Sequence, residues 1–499
     1  MSIITRDVHG CLNDSFDLII VGGGVYGIML ALESGFRGKR ALLLEQNDFA
    51  SATSYNHLRT LHGGLRYLQT LDLPRFFESV RERQWFLIYF PQLVEILPCV
   101  MPLYNKGIRR KSVFRLALWI NNRLSTNRNI SVIPKNKLPD GSILSKELTE
   151  KTVPEVNMNG LAGSALWYDG IVMEPERLLM EILRWSCSME ASALNYVRAD
   201  GLKTKKGHVI GIEAVDRISG NRLEFRAPVV INAAGPWNRE VAKKFDKDYP
   251  ILFPTYLLLW NLLFNKKALS DYSLAVTPQQ GTGHMYFFHN WKGRMLVGTG
   301  QEPVKDLRKN NFPTNENLKS FIHDLNLSIP SLSLKEDDIA HVYYGLLPAD
   351  AHNNLTKREV VLNHERNGGP KGLYSISGIK FTTSRSVAEK TLDVIFSETR
   401  HRKDRQPMPP REANSKRGTF SFDWMPSSND DGWKKILHRI INEESVIHLD
   451  DLIYRRTSLG ENKMRLPLII PKIRDLFQFD SPLWEEEVKR VYKQSQRNE

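Results

Sequence analysis

Phe16-Asp17-Leu18-Ile19-Ile20-Val21 runs straight into Gly22-Gly23-Gly24-Val25-Tyr26-Gly27, and an apolar stretch, Ile28-Met29-Leu30-Ala31-Leu32, follows. A short apolar run closed by glycines and continued by helix formers reads as buried strand, tight turn and helix. Ala41-Leu42-Leu43-Leu44 reads as a second buried strand and ends in Glu45, 23 residues after Gly22. This is a GxGxxG fingerprint for a dinucleotide. Gly22 permits the turn, Gly24 lets the backbone approach a pyrophosphate, and Gly27 lets helix and strand pack closely. The helix N-terminus offers N–H groups and a positive dipole to the pyrophosphate, and Glu45 suits the ribose hydroxyls of an adenosine. The fingerprint alone leaves NAD and FAD open.

Two distant segments favour FAD. Pro228-Val229-Val230-Ile231-Asn232-Ala233-Ala234-Gly235-Pro236-Trp237 reads as a buried strand that returns beneath the dinucleotide. Leu373-Tyr374-Ser375-Ile376-Ser377-Gly378-Ile379-Lys380-Phe381-Thr382-Thr383 repeats the order strand, glycine turn, helix start. Before the first of these, Leu194-Asn195-Tyr196-Val197 and Val209-Ile210-Gly211-Ile212 are strand-like, with a turn at Lys205-Lys206-Gly207. A nucleotide domain assembled from three distant pieces of chain is a habit of large flavoproteins.

The chain has 499 residues and ordinary globular composition, enough for two or three domains. Its three cysteines, Cys11, Cys99 and Cys187, show no metal-ligand spacing, so no metal is expected and the thiols read as reduced, in a cytoplasmic-type compartment. The start of the chain lacks an apolar signal core, and no run is long enough to span a membrane.

The net charge of +13 is concentrated. Ile96 to Pro139 holds nine basic residues (Lys106, Arg109, Arg110, Lys111, Arg115, Arg123, Arg128, Lys135 and Lys137) and no Asp or Glu. Arg400 to Arg417 holds seven more and reads as a basic interdomain linker. Within the first stretch, helical spacing puts Val113, Ala117, Ile120 and Leu124 on one face, widened by Phe114, Leu116 and Leu118, with Arg115, Trp119, Asn122 and Arg123 opposite. Such a helix suits either packing on the body of the protein or lying in an anionic membrane surface. No nucleic-acid module accompanies the charge, so nucleic acid is not an expected partner.

Ala52-Thr53-Ser54 and His62-Gly63-Gly64-Leu65-Arg66-Tyr67-Leu68 resemble the FAD-dependent glycerol-3-phosphate dehydrogenase/oxidase family, as do Asn232 to Trp237, Gly298-Thr299 and Lys380 to Arg385. Leu449-Asp450-Asp451-Leu452-Ile453-Tyr454-Arg455-Arg456-Thr457 resembles that family's acidic-then-RRT signature. The resemblance runs from about residue 15 to 460. It implies an α/β fold with a glutathione-reductase-type Rossmann FAD domain (15–90, 165–245 and 370–399), and an antiparallel-sheet substrate domain (91–164 and 246–369). A C-terminal helical domain (418–499) follows the linker. It places the basic stretch 101–128, with helix 113–124, in a membrane-facing region, hence a cytoplasmic protein peripheral on the inner face of the cytoplasmic membrane. It implies FAD held by Gly22, Gly24, Gly27, Glu45, Thr53, Ser54, His62, Gly63, Gly64, Val197, Ala234, Gly235, Gly378, Lys380, Phe381 and Thr382, with quinone or oxygen as electron acceptor.

Departures fall in the substrate half. The family pattern TSSxSSKLIHGG is here Thr53 to Gly64, with His57, Leu58 and Arg59 replacing two small hydroxyl residues and a lysine. A family histidine aligns with Asn261, and an arginine expected to hold the substrate phosphate aligns with Leu347. The expected chemistry is oxidation of a C–OH group by hydride transfer to flavin N5, with a glycerol-3-phosphate-like or related small anionic substrate. Oxidation of an amine or amino acid, and a flavin-binding membrane or interaction protein with altered catalysis, are the alternatives. His62 is the first candidate base because histidine titrates near neutral pH. Lys380 and the helix start after it suit charge developing on the flavin. His57 and Arg59 are expected to bind an anionic substrate, Arg59 through a bidentate fork. His284 and His289 read as surface or core histidines.

Overall fold

The computed structural model describes residues 3–104, 110–247, 254–278, 284–304, 307, 312–356, 358–398, 409, 418–426 and 431–496. The basic residues of the expected linker 400–417, and Lys106 and Arg109, lie outside them.

Leu18–Val21 is a strand with every side chain buried, because both of its faces are covered. It pairs in parallel with Ala41–Leu44 on one side and Val230–Asn232 on the other. The six-stranded sheet runs Val360–Asn363, Leu373–Ser377, Val230–Asn232, Leu18–Val21, Ala41–Leu44, Ser192–Leu194, and Val360–Asn363 alone is antiparallel. The period-two alternation divides the strand between two cores. Leu18 and Ile20 pack with the helices Val25–Gly35, Pro175–Cys187 and Ser384–Ile395. Ile19 and Val21 face the other way, onto a three-stranded antiparallel sheet made of Val197–Lys205, His208–Asp216 and Arg222–Arg226.

The second large unit is a nine-stranded, mainly antiparallel sheet built on the long strands Thr255–Lys267, Arg294–Val304 and Ile339–Ala349. Leu318, Phe321, Ile322 and Leu325 of the helix Asn315–Ser328 cover one face of it. One expected boundary moves. Gly163–Val172, placed largely in the nucleotide domain from sequence, pairs along its whole length with Val94–Leu103 and belongs to this second sheet. Thr60–Leu61, a stub inside the first cofactor segment, pairs with the same strand at Ile171 and Gly170.

The helix around 113–124 forms as Lys111–Leu124, but with a different inner face. Phe114 and Leu118 are buried, while Val113, Leu116 and Trp119 point outward beside Arg115 and Arg123. The charge in this stretch is also not all surface, since Arg128 is buried against Asp140. Among the described residues no helix is long and apolar enough to cross a membrane.

The C-terminal helices, chiefly Gly432–Glu443, Leu466–Ile473 and Ser481–Gln496, have their own core around Leu437, Ile440, Leu452, Ile453 and Val491. Buried ion pairs lock this unit to the nucleotide domain. Asp48 accepts from Arg456 at 2.6 and 2.7 Å and from Arg455 at 2.7 Å, all three side chains being at most 3% exposed. Arg177 meets Glu444 at 2.8 Å, and Arg184 meets Glu443 and Glu444 at 3.2 Å. Burial works against ionisation of Asp48, but the two guanidinium groups outweigh it and hold its pKa below the ordinary carboxylate value.

Asp48→Ala leaves buried Arg456 without its carboxylate partner and takes one of three from Arg455, so chemical denaturation is expected to show a loss of about 3–5 kcal/mol. Because the folded-state pKa is depressed, the stabilisation by Asp48 is complete above its ordinary unfolded value and lost as pH falls toward the folded one. The variant's deficit is therefore expected to shrink in strong acid.

Candidate functional site

The turn after the first strand makes a cradle no side chain could share. Gly22 has φ +112°, and a Cβ there would lie 2.7 Å from the Ala233 carbonyl oxygen. A Cβ on Gly27 would lie 1.9 Å from the Gly22 oxygen, so helix and strand touch only because both are glycine. From this turn opens a cavity of about 630 Å³. Its walls include Gly22, Gly24, Glu45, Thr53, Ser54, His57, Val197, Ala234, Gly235, Gly378, Lys380 and Phe381. Twelve sequence candidates thus come together from segments nearly 360 residues apart. Gly27, Arg59, His62, Gly63, Gly64 and Thr382 do not line it.

Local bonding explains how each wall is held. Glu45 accepts the Gly23 and Asn47 N–H groups at 2.7 and 2.8 Å, leaving each oxygen a second lone pair. Ser54 Oγ accepts the Val25 N–H at 2.9 Å, and Thr53 Oγ1 donates to the Leu346 carbonyl at 3.0 Å. Tyr26 accepts the Lys380 N–H at 3.2 Å and donates to its carbonyl at 3.0 Å, pinning the loop Gly378–Lys380 onto the first helix. His57 stacks on Phe381 with ring centroids 4.4 Å apart, and its Nδ1 accepts the Arg59 N–H. Burial, helped by nearby Arg59, pushes the His57 pKa down to about 3, so the ring is neutral and carries its proton on Nε2. That Nε2 is sealed from solvent without a hydrogen-bond partner. A glycine cradle and a ribose-type carboxylate on one wall fit a bound FAD.

Beyond Phe381, a second group gathers. His62, with a side chain 58% exposed, donates its backbone N–H to Thr382 Oγ1 at 3.3 Å and sets Nδ1 3.4 Å from Asp169. Asp169 is buried, and it also accepts from the Gly63 N–H at 2.6 Å, Arg83 at 3.0 Å and Trp167 Nε1 at 3.3 Å. Burial opposes its charge, yet His62, Arg83 and the Gly63 N–H hold its pKa below normal. The Lys380 ammonium contacts the Tyr67 hydroxyl, 4.8 Å from the Tyr67 ring centre. The helix Ser384–Ile395 begins alongside with Thr383 at its N-cap. Gly63 and Gly64 act here through packing: a Cβ on Gly63 would collide with Arg83, and Gly64 has φ +84°.

Arg59 corrects an expectation. It lies between Trp291 and Tyr343, with ring centres 4.3 and 4.8 Å away, and is 1% exposed. Glu461 is 3.9 Å away, and Lys292 bridges Glu174 and Glu461 nearby. Arg59 is thus an internal counter-ion to a buried carboxylate cluster and reaches no substrate. Those three carboxylates, Glu174, Glu176 and Glu461, stand close enough for a metal, but Lys292 already holds the cationic position among them. His289 is core, bonded to Thr60 at 3.0 Å, and His284 is exposed. Sequence reasoning missed Asp169, Tyr67 and Tyr26. A lone acid inside the apolar run Ala165–Val172 was the available signal for the first.

Gly27→Val is expected to yield protein without visible flavin absorbance after purification, since the added carbons have only the Gly22 carbonyl to occupy.

The comparisons agree with this geometry. A family model described as FAD dependent oxidoreductase (DAO) matches residues 17–393. A glycerol-3-phosphate dehydrogenase from Synechocystis sp. is 28% identical over 426 residues, covering 80% of this chain and 74% of that protein. The structure of a glycerol-3-phosphate dehydrogenase from Bacillus halodurans complexed with FAD superposes with TM-score 0.72 at 18% identity, over 100% of this chain and 98% of that one. An L-proline dehydrogenase from P. horikoshii shares the fold at TM-score 0.56 and 14% identity, over 79% of this chain and 96% of that one. The chain belongs to the DAO family of FAD-dependent oxidoreductases.

Proposed function

We propose that the protein oxidises a C–OH group of a glycerol-3-phosphate-like or related small anionic substrate, with His62 as the base. Bound FAD supplies a two-electron acceptor. The protein must then take the hydroxyl proton as the C–H bond gives up its hydride. The observation that carries this reading is the His62–Asp169 pair. With Nδ1–H directed at the buried carboxylate, Nε2 is left as a proton acceptor on the exposed side of the ring. Lys380 and the N-terminus of the helix Ser384–Ile395 put positive charge where negative charge develops on the cofactor. Quinone or oxygen would take the electrons onward.

A specific observation favours the amine reading as the second choice. Asn261 gives its amide to the Asn56 carbonyl at 3.1 Å and accepts from Thr299 at 3.0 Å, while Leu347 puts an alkyl wall on the cavity. Neither position offers a cation to a phosphate. Anaerobic mixing with glycerol 3-phosphate is expected to bleach the flavin. His62→Asn should slow that bleaching about 10²–10⁴-fold with flavin content unchanged. Bleaching by an amino acid and none by glycerol 3-phosphate would move the assignment to C–N oxidation.

The outward face of Lys111–Leu124 supports an attachment to anionic membrane. Leu116 and Trp119 are 58% and 57% exposed, Arg123 lies 5.8 Å from the Trp119 ring, and exposed Leu71 follows the neighbouring segment 65–70. Apolar side chains interleaved with arginines suit the headgroup boundary. Co-sedimentation with phosphatidylglycerol vesicles is expected for the parent protein and not for a Leu116→Glu, Trp119→Glu variant of equal thermal stability.

A further inference from the structure

We propose that the last helix, Ser481–Gln496, is part of the cofactor site, with Arg490 and Gln494 holding the adenosine half of FAD. The family model ends at residue 393, so this helix lies beyond the segment that model matches. Even so, Asp450, Arg455, Arg490 and Gln494 line the same cavity as the glycine cradle, along with Glu45 and Val197. Glu45 marks the ribose end, so the C-terminal residues stand over the adenosine.

Their chemistry suits that place. Asp450 holds Arg490 through a single carboxylate oxygen, both contacts at 3.2 Å, and the Arg490 side chain is 43% exposed. Gln494 accepts from Arg455 through its oxygen at 3.3 Å and its NH₂ also meets Tyr55, which leaves one N–H as a donor. A planar cation and a carboxamide donor match the face and the ring nitrogens of a purine. Behind them the wall is rigid. Arg455 joins Asp450 and Asp451 of the C-terminal unit to Asp48, three residues after Glu45, through bonds of 2.6–2.8 Å. FAD binding and docking of the C-terminal unit are therefore linked: each favours the other by the same factor.

The test uses the full-length apoprotein, prepared by removing flavin and retitrated with FAD while the quenching of flavin fluorescence is followed. Arg490→Ala and Gln494→Ala leave the bonds from Asp48 to Arg455 and Arg456 in place but each removes one contact at the edge of that network, on Asp450 and Arg455, so thermal stability is measured beside the titration. The double variant is expected to raise the Kd for FAD about tenfold or more, with Arg490→Lys closer to the parent. Amide hydrogen exchange in 481–496 is expected to slow when FAD is added to the parent protein. A Kd within twofold of the parent for the double variant, or exchange in this helix that is the same with and without FAD, overturns the proposal. Neither result bears on which substrate is oxidised.

Discussion

The carboxylate of Asp48 ties together parts of the chain more than 400 residues apart. It sits just past the ribose-type Glu45, and it is neutralised by two arginines that belong to the C-terminal helices. Removing Asp48 leaves buried Arg456 hydrogen-bonded only to backbone carbonyls, whereas Arg455 keeps Asp450 and Asp451. The loop 45–55, which walls the cofactor cavity, is consequently fixed from behind by a unit that lies beyond the segment matched by the family model. Arg177 and Arg184 repeat the arrangement along the next helix with Glu443 and Glu444. The interface is thus written mostly in charge, and the apolar cores on its two sides stay separate.

How much was legible in the sequence follows from how local each contact is. Glu45 meets the Gly23 N–H 22 residues away and Gly27 packs on Gly22, so the glycine turn was readable from a short span of chain. Asn232 to Trp237 and Gly378 to Phe381 were readable from the same order of apolar strand and small residues, although the partners that fix them, Val21 and Tyr26, are remote. Arg59 was misjudged because a cation next to cofactor-binding residues reads as a ligand for an anion. Its true partners, Trp291, Tyr343 and Glu461, come from three remote segments. The inner face of Lys111–Leu124 was misjudged because apolar residues run almost around that helix, so periodicity has no sharp answer. Which arc is buried was settled by the strands it packs on.

The two halves of the molecule differ in how far they follow family habit, and the structure shows a physical reason. On the cofactor side, the glycines and backbone groups have no room to vary. On the substrate side, Asn261 has both ends of its amide committed to Asn56 and Thr299 and closes the gap against Gly298, where a Cβ would come within 2.0 Å of its oxygen. Such a residue has become part of the framework.

Thr60–Leu61 is a short strand, yet it decides which body His62 belongs to. The stub pairs with Ile171 and Gly170, and Asp169 is the next residue along that strand. The imidazole and the carboxylate it meets therefore lie opposite each other just past the end of that pairing, at the edge of the nine-stranded sheet, though His62 lies in a segment that otherwise walls the nucleotide side. Any hinge between the two domains would carry the pair as a unit, keeping its internal hydrogen bond while altering its reach toward the cofactor. The same coupling leaves the His62–Asp169 contact independent of the side chains on the long strands Thr255–Lys267, Arg294–Val304 and Ile339–Ala349.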